Sequence, residues 1–144
     1  MRIHHIGWAV SSLGEHHDHF AGQLGLPYEG VEKFPTLSVA FYDAGSCLIE
    51  LLEATDPSDD VAHFVRRRGE GIHHLAYVVD DVAEALREAG VRGLRLIDHR
   101  PRPGARGTQI GFVDPQRPDG VLVEYVQLPP DPSPFSTSAT NGEM

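Results

Sequence analysis

The sequence predicts an α+β fold built from two βαβββ modules, and three observations carry that prediction. First, His4-His5-Ile6-Gly7-Trp8-Ala9-Val10 returns 69 residues later as His73-His74-Leu75-Ala76-Tyr77-Val78-Val79. Second, Leu48-Ile49-Glu50-Leu51-Leu52 returns 74 residues later as Leu122-Val123-Glu124-Tyr125-Val126. Third, each His-bearing segment is followed by a helix-start signal, Ser12 with Glu15 and Asp81 with Glu84. Two copies of so long a unit suggest a pair sharing one sheet, because a solenoid needs at least three.

Taken in order, residues 3–10 read as a strand rich in Ile, Trp and Val. Ser12 then opens a helix that runs to about Gln23, before Gly25. Strands follow at about 28–33, Leu37–Asp43 and Cys47–Glu53, with Asp43-Ala44-Gly45 as a turn. Asp56–Asp60 reads as linker and cap. Val61–Arg68 reads as a short helix ending at Gly69, with three arginines at its carbonyl end, where the dipole favours cations. The second module has a strand at 72–79, a helix closed at Gly90, and strands near 94–98, 108–113 and 121–127. The whole is expected to be a single domain over 1–128, with modules at about 3–53 and 72–128 and a linker helix at about 60–68. From Pro129 to residue 144 the chain is Pro, Ser, Thr and Asn with little to bury, and a disordered tail is expected.

Composition narrows the function. A chain of 144 residues can bury a real core. Twelve basic against twenty-one acidic side chains leave −9, which argues against nucleic acid or an anionic membrane as the main partner. No apolar run approaches the roughly 20 residues a membrane span needs, and no signal peptide is expected. The lone Cys47 cannot form an internal disulfide, so a cytoplasmic, reducing setting is expected, with Cys47 as a small buried side chain.

Strand periodicity sorts the candidate site residues. Ile3, His5, Gly7 and Ala9 share one face, and His4, Ile6 and Trp8 the other. The bulk beside His4 suggests that its face packs on the helix, while Gly7 and Ala9 leave space beside His5. Ala76 is similarly small beside His74. Glu50 and Glu124 sit mid-strand among Leu, Ile and Val, where a carboxylate is costly unless paired or bound to metal. Alone, a strand His is more often a hydrogen-bonded core residue, and a strand Glu more often faces water. Recurrence of both in a duplicated unit is what favours metal. Imidazole and carboxylate without thiolate suit cobalt, manganese, nickel, zinc or iron. Four protein ligands would leave two octahedral positions open, as a catalytic site requires.

These residues resemble the vicinal-oxygen-chelate superfamily, whose paired modules form an incomplete barrel around a metal site. Within it the chain is most similar to methylmalonyl-CoA epimerases. The similar stretches include His5-Ile6-Gly7, Ile49-Glu50-Leu51-Leu52-Glu53, Arg68-Gly69-Glu70-Gly71-Ile72-His73-His74, Pro101-Arg102-Pro103-Gly104-Ala105 and Gly120-Val121-Leu122-Val123-Glu124. The resemblance implies a divalent metal held by His5, Glu50, His74 and Glu124, with Glu124 also moving a proton as the catalytic base. It further implies a homodimer acting on methylmalonyl-CoA or a similar acyl thioester through an enolate, whose charge a cation stabilises. Two departures stand out. A Glu that supplies the second base in one branch is absent from Leu37-Ser38-Val39-Ala40, leaving Tyr42, Ser38 or water as substitutes. The family's Phe-Leu-His-Pro is here Phe112-Val113-Asp114-Pro115, with Asp114 read as a turn former. Another isomerase, cyclase or glyoxalase-like enzyme, or a non-catalytic small-molecule binder, is the competing expectation.

Three lesser features complete the reading. His16 and His19 share a helix face, where a surface metal site competes with ordinary solvated side chains. Arg66–Arg68, Arg100, Arg102 and Arg106 are positive spots able to hold coenzyme A phosphates. Gly104-Ala105-Arg106-Gly107 is too short to be a phosphate loop by itself.

Overall fold

The computed structural model describes residues 1–130, so the tail expected at 129–144 lies outside the described residues from 131 onward. The first module is β1 (Ile3–Val10), α1 (Leu13–His17), β2 (Tyr28–Lys33), β3 (Leu37–Asp43) and β4 (Leu48–Ala54). Helix α2 (Asp60–Arg68) leads to the second module, β5 (Gly71–Val78), α3 (Val82–Val91), β6 (Arg95–Leu96), β7 (Arg102–Pro103), β8 (Gln109–Asp114) and β9 (Leu122–Gln127). All nine strands join one sheet in the order β2-β3-β4-β1-β5-β9-β8-β6, with β7 also on β8. In each module the first strand runs parallel to the last. The two first strands, β1 and β5, meet antiparallel at the centre. A pseudo-twofold axis therefore passes between the two His-bearing strands.

Local chemistry repeats with the fold. Ser12 accepts from the Glu15 amide, and Asp81 from the Glu84 amide, so both expected caps form. Glu53 at the end of β4 accepts from the Leu13 amide at 2.8 Å, and Gln127 at the end of β9 accepts from Val82 at 3.0 Å. Each module thus ties its last strand to the start of its helix. Asp59 caps α2 through the Val61 amide, and Gly69 closes it with φ 81°.

Three expectations need correction. The helix from Ser12 is α-helical only to His17 and continues as a π-turn over Asp18–Gln23. The widened turn drives Phe20 inward, edge-on to Trp8 and beside Tyr42. Helix α3 closes three residues beyond Gly90, at Gly93, the residue with φ 93°. Gly90 stays inside the helix. The strand expected at 94–98 shrinks to Arg95–Leu96, because the Asp98 carboxylate takes the Phe112 amide at 2.8 Å and the chain turns outward. Pro101 and Pro103 then lack the donors to extend β7.

The sheet is open, with β2 and β6 at its ends. Arg106, in the turn after β7, draws the far sides together. Its amide donates to Glu32 and its guanidinium to Glu29, both at 3.0 Å, and the guanidinium stacks 4.0 Å over Phe41. Helix α1 with its π-turn and helix α3 cover the outer face, whereas Val61 of α2 packs with Ala9, Val39 and Leu52 on the cavity side; Val82, Leu86 and Ala89 of α3 pack on Val113 and Tyr125. Leu86 is fully buried there, and Leu86→Ala is expected to cost about 3 kcal/mol in denaturant unfolding with retained fold. None of the helices among the described residues is long and apolar enough to cross a membrane.

Candidate metal centre

The central strands place small residues opposite the candidate ligands. Across β1 and β5, His5 pairs with Ala76 and Gly7 with His74. On the flanks Gly7 also pairs with Glu50, and Ala76 with Glu124. The next strands out put Phe41 beside Glu50 and Phe112 beside Glu124. The two halves of the site are thus copies of one row, Phe–Glu–small–His, run in opposite directions. The space at Gly7 serves His74 rather than its own neighbour His5: a Cβ at Gly7 would stand 2.2 Å from His74 Cε1.

Three of the four expected ligands converge on one point. His5 Nε2 lies 3.0 Å from His74 Nε2 and 2.9 Å from Glu124 Oε1, and His74 Nε2 lies 3.3 Å from the same oxygen. All three residues are buried. Despite these distances Glu124 Oε1 has no hydrogen bond of acceptable geometry. Two imidazole nitrogens crowding a buried carboxylate oxygen that lacks a donor is the arrangement a cation would satisfy, so the three residues fit a divalent metal. Glu50 is buried beside them, but its Oε2 reaches the other nitrogen of His5, Nδ1, at 3.2 Å.

The two carboxyls are pushed in opposite directions. Burial, then the nearby Glu124 charge, pushes Glu50 up to about 8. Burial alone would raise Glu124 too, but contact with the His5 and His74 imidazoles overrides it and holds Glu124 well below the usual carboxylate range. At neutral pH the metal-free protein therefore carries one protonated and one ionised carboxyl. Burial, then the adjoining imidazole (His5 or His74 respectively), lowers His4 to about 4 and His73 to about 3.

A stability profile follows for the metal-free protein. His4 and His73, depressed from 6.5, withhold stability below that value and restore it as pH rises to it. Glu50, raised from 4.5, contributes stability that is lost as pH climbs toward 8. Stability should peak near pH 6.5 and fall by on the order of 1–2 kcal/mol toward pH 8. Thermal melts of metal-free Glu50→Gln should lack that alkaline decline; a decline matching the wild type would refute the assignment.

The site forms one wall of a cavity of about 650 Å³. Leu37, Val39 and Leu52 line its first-module side, and Asp98, Arg102 and Phe112 part of the other. The substitutes for the second base expected at Ser38 and Tyr42 are not there. Both alternate to the far side of β3, and the Tyr42 hydroxyl meets His17 Nδ1 at 2.7 Å beneath the π-turn. His4 and His73 are the residues that sequence reasoning passed over. His73 lines the cavity, and a register shift between Ile3 and His5 turns His4 toward His5 instead of the helix face. The doubled His-His pairs were the available signal.

The remaining features have partners within the fold. His16 pairs with Glu70 and His19 with Gln23, so the two imidazoles have separate partners. Asp114 accepts from the Gln116 amide and pairs with Arg95, as a turn former would. Arg68 donates to the Asp119 carbonyl and Arg102 pairs with Asp98.

Residues 4–112 match the family model described as the glyoxalase/bleomycin resistance protein/dioxygenase superfamily. The chain is 37% identical to an uncharacterized protein, YqjC, of Bacillus subtilis (strain 168), over 88% of this chain and 91% of that one. It is 30% identical to the ethylmalonyl-CoA/methylmalonyl-CoA epimerase of Cereibacter sphaeroides, over 88% and 98% respectively. The crystal structure of methylmalonyl-CoA epimerase from Mycobacterium tuberculosis superposes with a TM-score of 0.81 at 28% identity, over 90% of this chain and 89% of that one.

Proposed function

The chain belongs to the glyoxalase/bleomycin resistance protein/dioxygenase superfamily, and we propose that within it the protein is a metal-dependent epimerase of methylmalonyl-CoA or a similar acyl thioester. The observation that carries this reading is the convergence of His5, His74 and Glu124 on one buried point in the cavity wall. The epimerases among its relatives support the substrate class.

His5, His74 and Glu124 would hold a divalent ion, with Glu50 as a fourth ligand once it has lost its proton. A cation bound there supplies positive charge for the oxygens of an enolate. Everything else falls to the chain. Glu124, ionised at neutral pH, takes the proton alpha to the thioester and returns it. Leu37, Val39 and Leu52 give the cavity an apolar first-module side, and Phe41 and Phe112 flank the two carboxyls. Leu37 and Val39, the β3 residues in the lining, bear no titratable group, so proton delivery to the other face of the planar carbon falls to water or to an acid elsewhere in the lining, such as Asp98.

The same apolar side favours a second reading, a one-base isomerase of another oxygenated substrate, such as a glyoxalase-type hemithioacetal. One experiment separates them. Cobalt-loaded protein is incubated with a single epimer of methylmalonyl-CoA in deuterated water. Epimerisation predicts alpha deuterium and scrambled stereochemistry; exchange with retention points to the one-base reading. Absence of both would sink the thioester assignment.

A further inference from the structure

Four imidazoles run in an unbroken line across the centre of the sheet. In the order His4, His5, His74, His73, successive ring nitrogens lie 2.8, 3.0 and 2.9 Å apart. Each ring meets the next edge-on, with centroids 5.0 to 5.1 Å apart. The inner contact is Nε2 to Nε2, and both outer contacts are Nδ1 to Nδ1. The outer rings occupy matching places in the two modules, each one residue before a proposed ligand.

We propose that His4 and His73 are a matched pair of positioning residues, each accepting the Nδ1–H of the neighbouring ligand imidazole and so fixing its tautomer and orientation. The inference rests on the reading of His5 and His74 as ligands through Nε2. A neutral imidazole has one N–H. If Nε2 of His5 and His74 turns its lone pair to a cation, the proton sits on Nδ1, which must find an acceptor. The atom facing it is Nδ1 of His4 or His73, which therefore holds a lone pair and keeps its own proton on Nε2. Such outer partners hold a metal-bound ring in place and raise its basicity.

The pair is unequal. His5 Nδ1 has a second acceptor within reach, Glu50 Oε2 at 3.2 Å. His74 Nδ1 has His73 as its one hydrogen-bond partner among the described residues. His73 is also buried and packed edge-on to Phe64, with centroids 5.1 Å apart. Losing His73 should therefore matter more than losing His4.

Zinc-loaded protein labelled with nitrogen-15 at histidine reads the tautomers directly. The expected result is Nδ1–H at His5 and His74, with Nε2–H at His4 and His73. A proton on Nδ1 of both outer rings would overturn the proposal, and no variant needs to fold for that result. Cobalt affinity, measured against a competing chelator, supplies the second arm. His73→Leu should weaken binding by about 10–100-fold and shift the visible cobalt bands, with a smaller loss for His4→Leu. His73→Gln, whose side-chain carbonyl can accept, should recover part of both. If His5→Ala loses cobalt while His73→Leu binds with wild-type affinity and bands, the positioning role falls and the metal reading stands. A wild type that binds neither zinc nor cobalt brings both down.

Discussion

Gly7→Ala is expected to lower metal affinity at least ~100-fold and to cost about 1–3 kcal/mol of stability, although it adds a single methyl group. The added Cβ would sit 2.2 Å from His74 Cε1 and 2.5 Å from both ring nitrogens. Contacts so short need a real displacement, and the ring has nowhere to go. Phe112 meets it edge-on from one side, with centroids 5.1 Å apart, while His5 and His73 hold its two nitrogens. The His74 imidazole must therefore leave the point it shares with His5 and Glu124. Gly71→Ala is the matched control, on the same pair of strands, because a Cβ there meets nothing within 4 Å. Isothermal titration with cobalt should show the contrast. Equal affinity for Gly7→Ala and wild type would mean that His74 is not held over Gly7 in the working protein.

Part of this arrangement is legible in the sequence. The small residues beside each His are visible in the chain, and strand alternation puts them on the same face as His5 and His74. Which His each one accommodates depends on pairing between the modules, a contact across 67 residues that no local period encodes. The same limit hid Glu50. Its place on a buried strand face is legible from Leu48–Leu52, but its contact with Nδ1 of His5, away from the shared Nε2 point, is set by the parallel register of β1 and β4. The caps at Ser12 and Asp81 were legible because a capping box is complete within four residues. The π-turn at Asp18–Gln23 was not, since it answers to the packing of Phe20 on Trp8 and Tyr42. Likewise β6 is cut short by a long-range bond from the Phe112 amide to Asp98.

Glu124→Gln should carry the largest catalytic effect, a loss of at least ~10³-fold in alpha-proton exchange, because one substitution removes both the proposed base and a proposed ligand charge. The amide keeps the shape of the side chain but cannot take up the proton. Glu50→Gln offers the informative comparison. Glu50 has its pKa pushed up to about 8 and touches the Nδ1 side of His5, so its loss should weaken metal binding while leaving exchange measurable at saturating metal. Stability offers a readout independent of turnover. The Glu124 carboxyl, held below its ordinary 4.5 by the two imidazoles, contributes stability that is present above that pH and lost on acidification. Metal-free wild type should therefore outlast metal-free Glu124→Gln at pH 7, and the gap should close as pH falls below 4.5. Glu124→Gln protein that still binds cobalt and still exchanges the alpha proton at the wild-type rate would assign the proton transfer to a different group in the cavity.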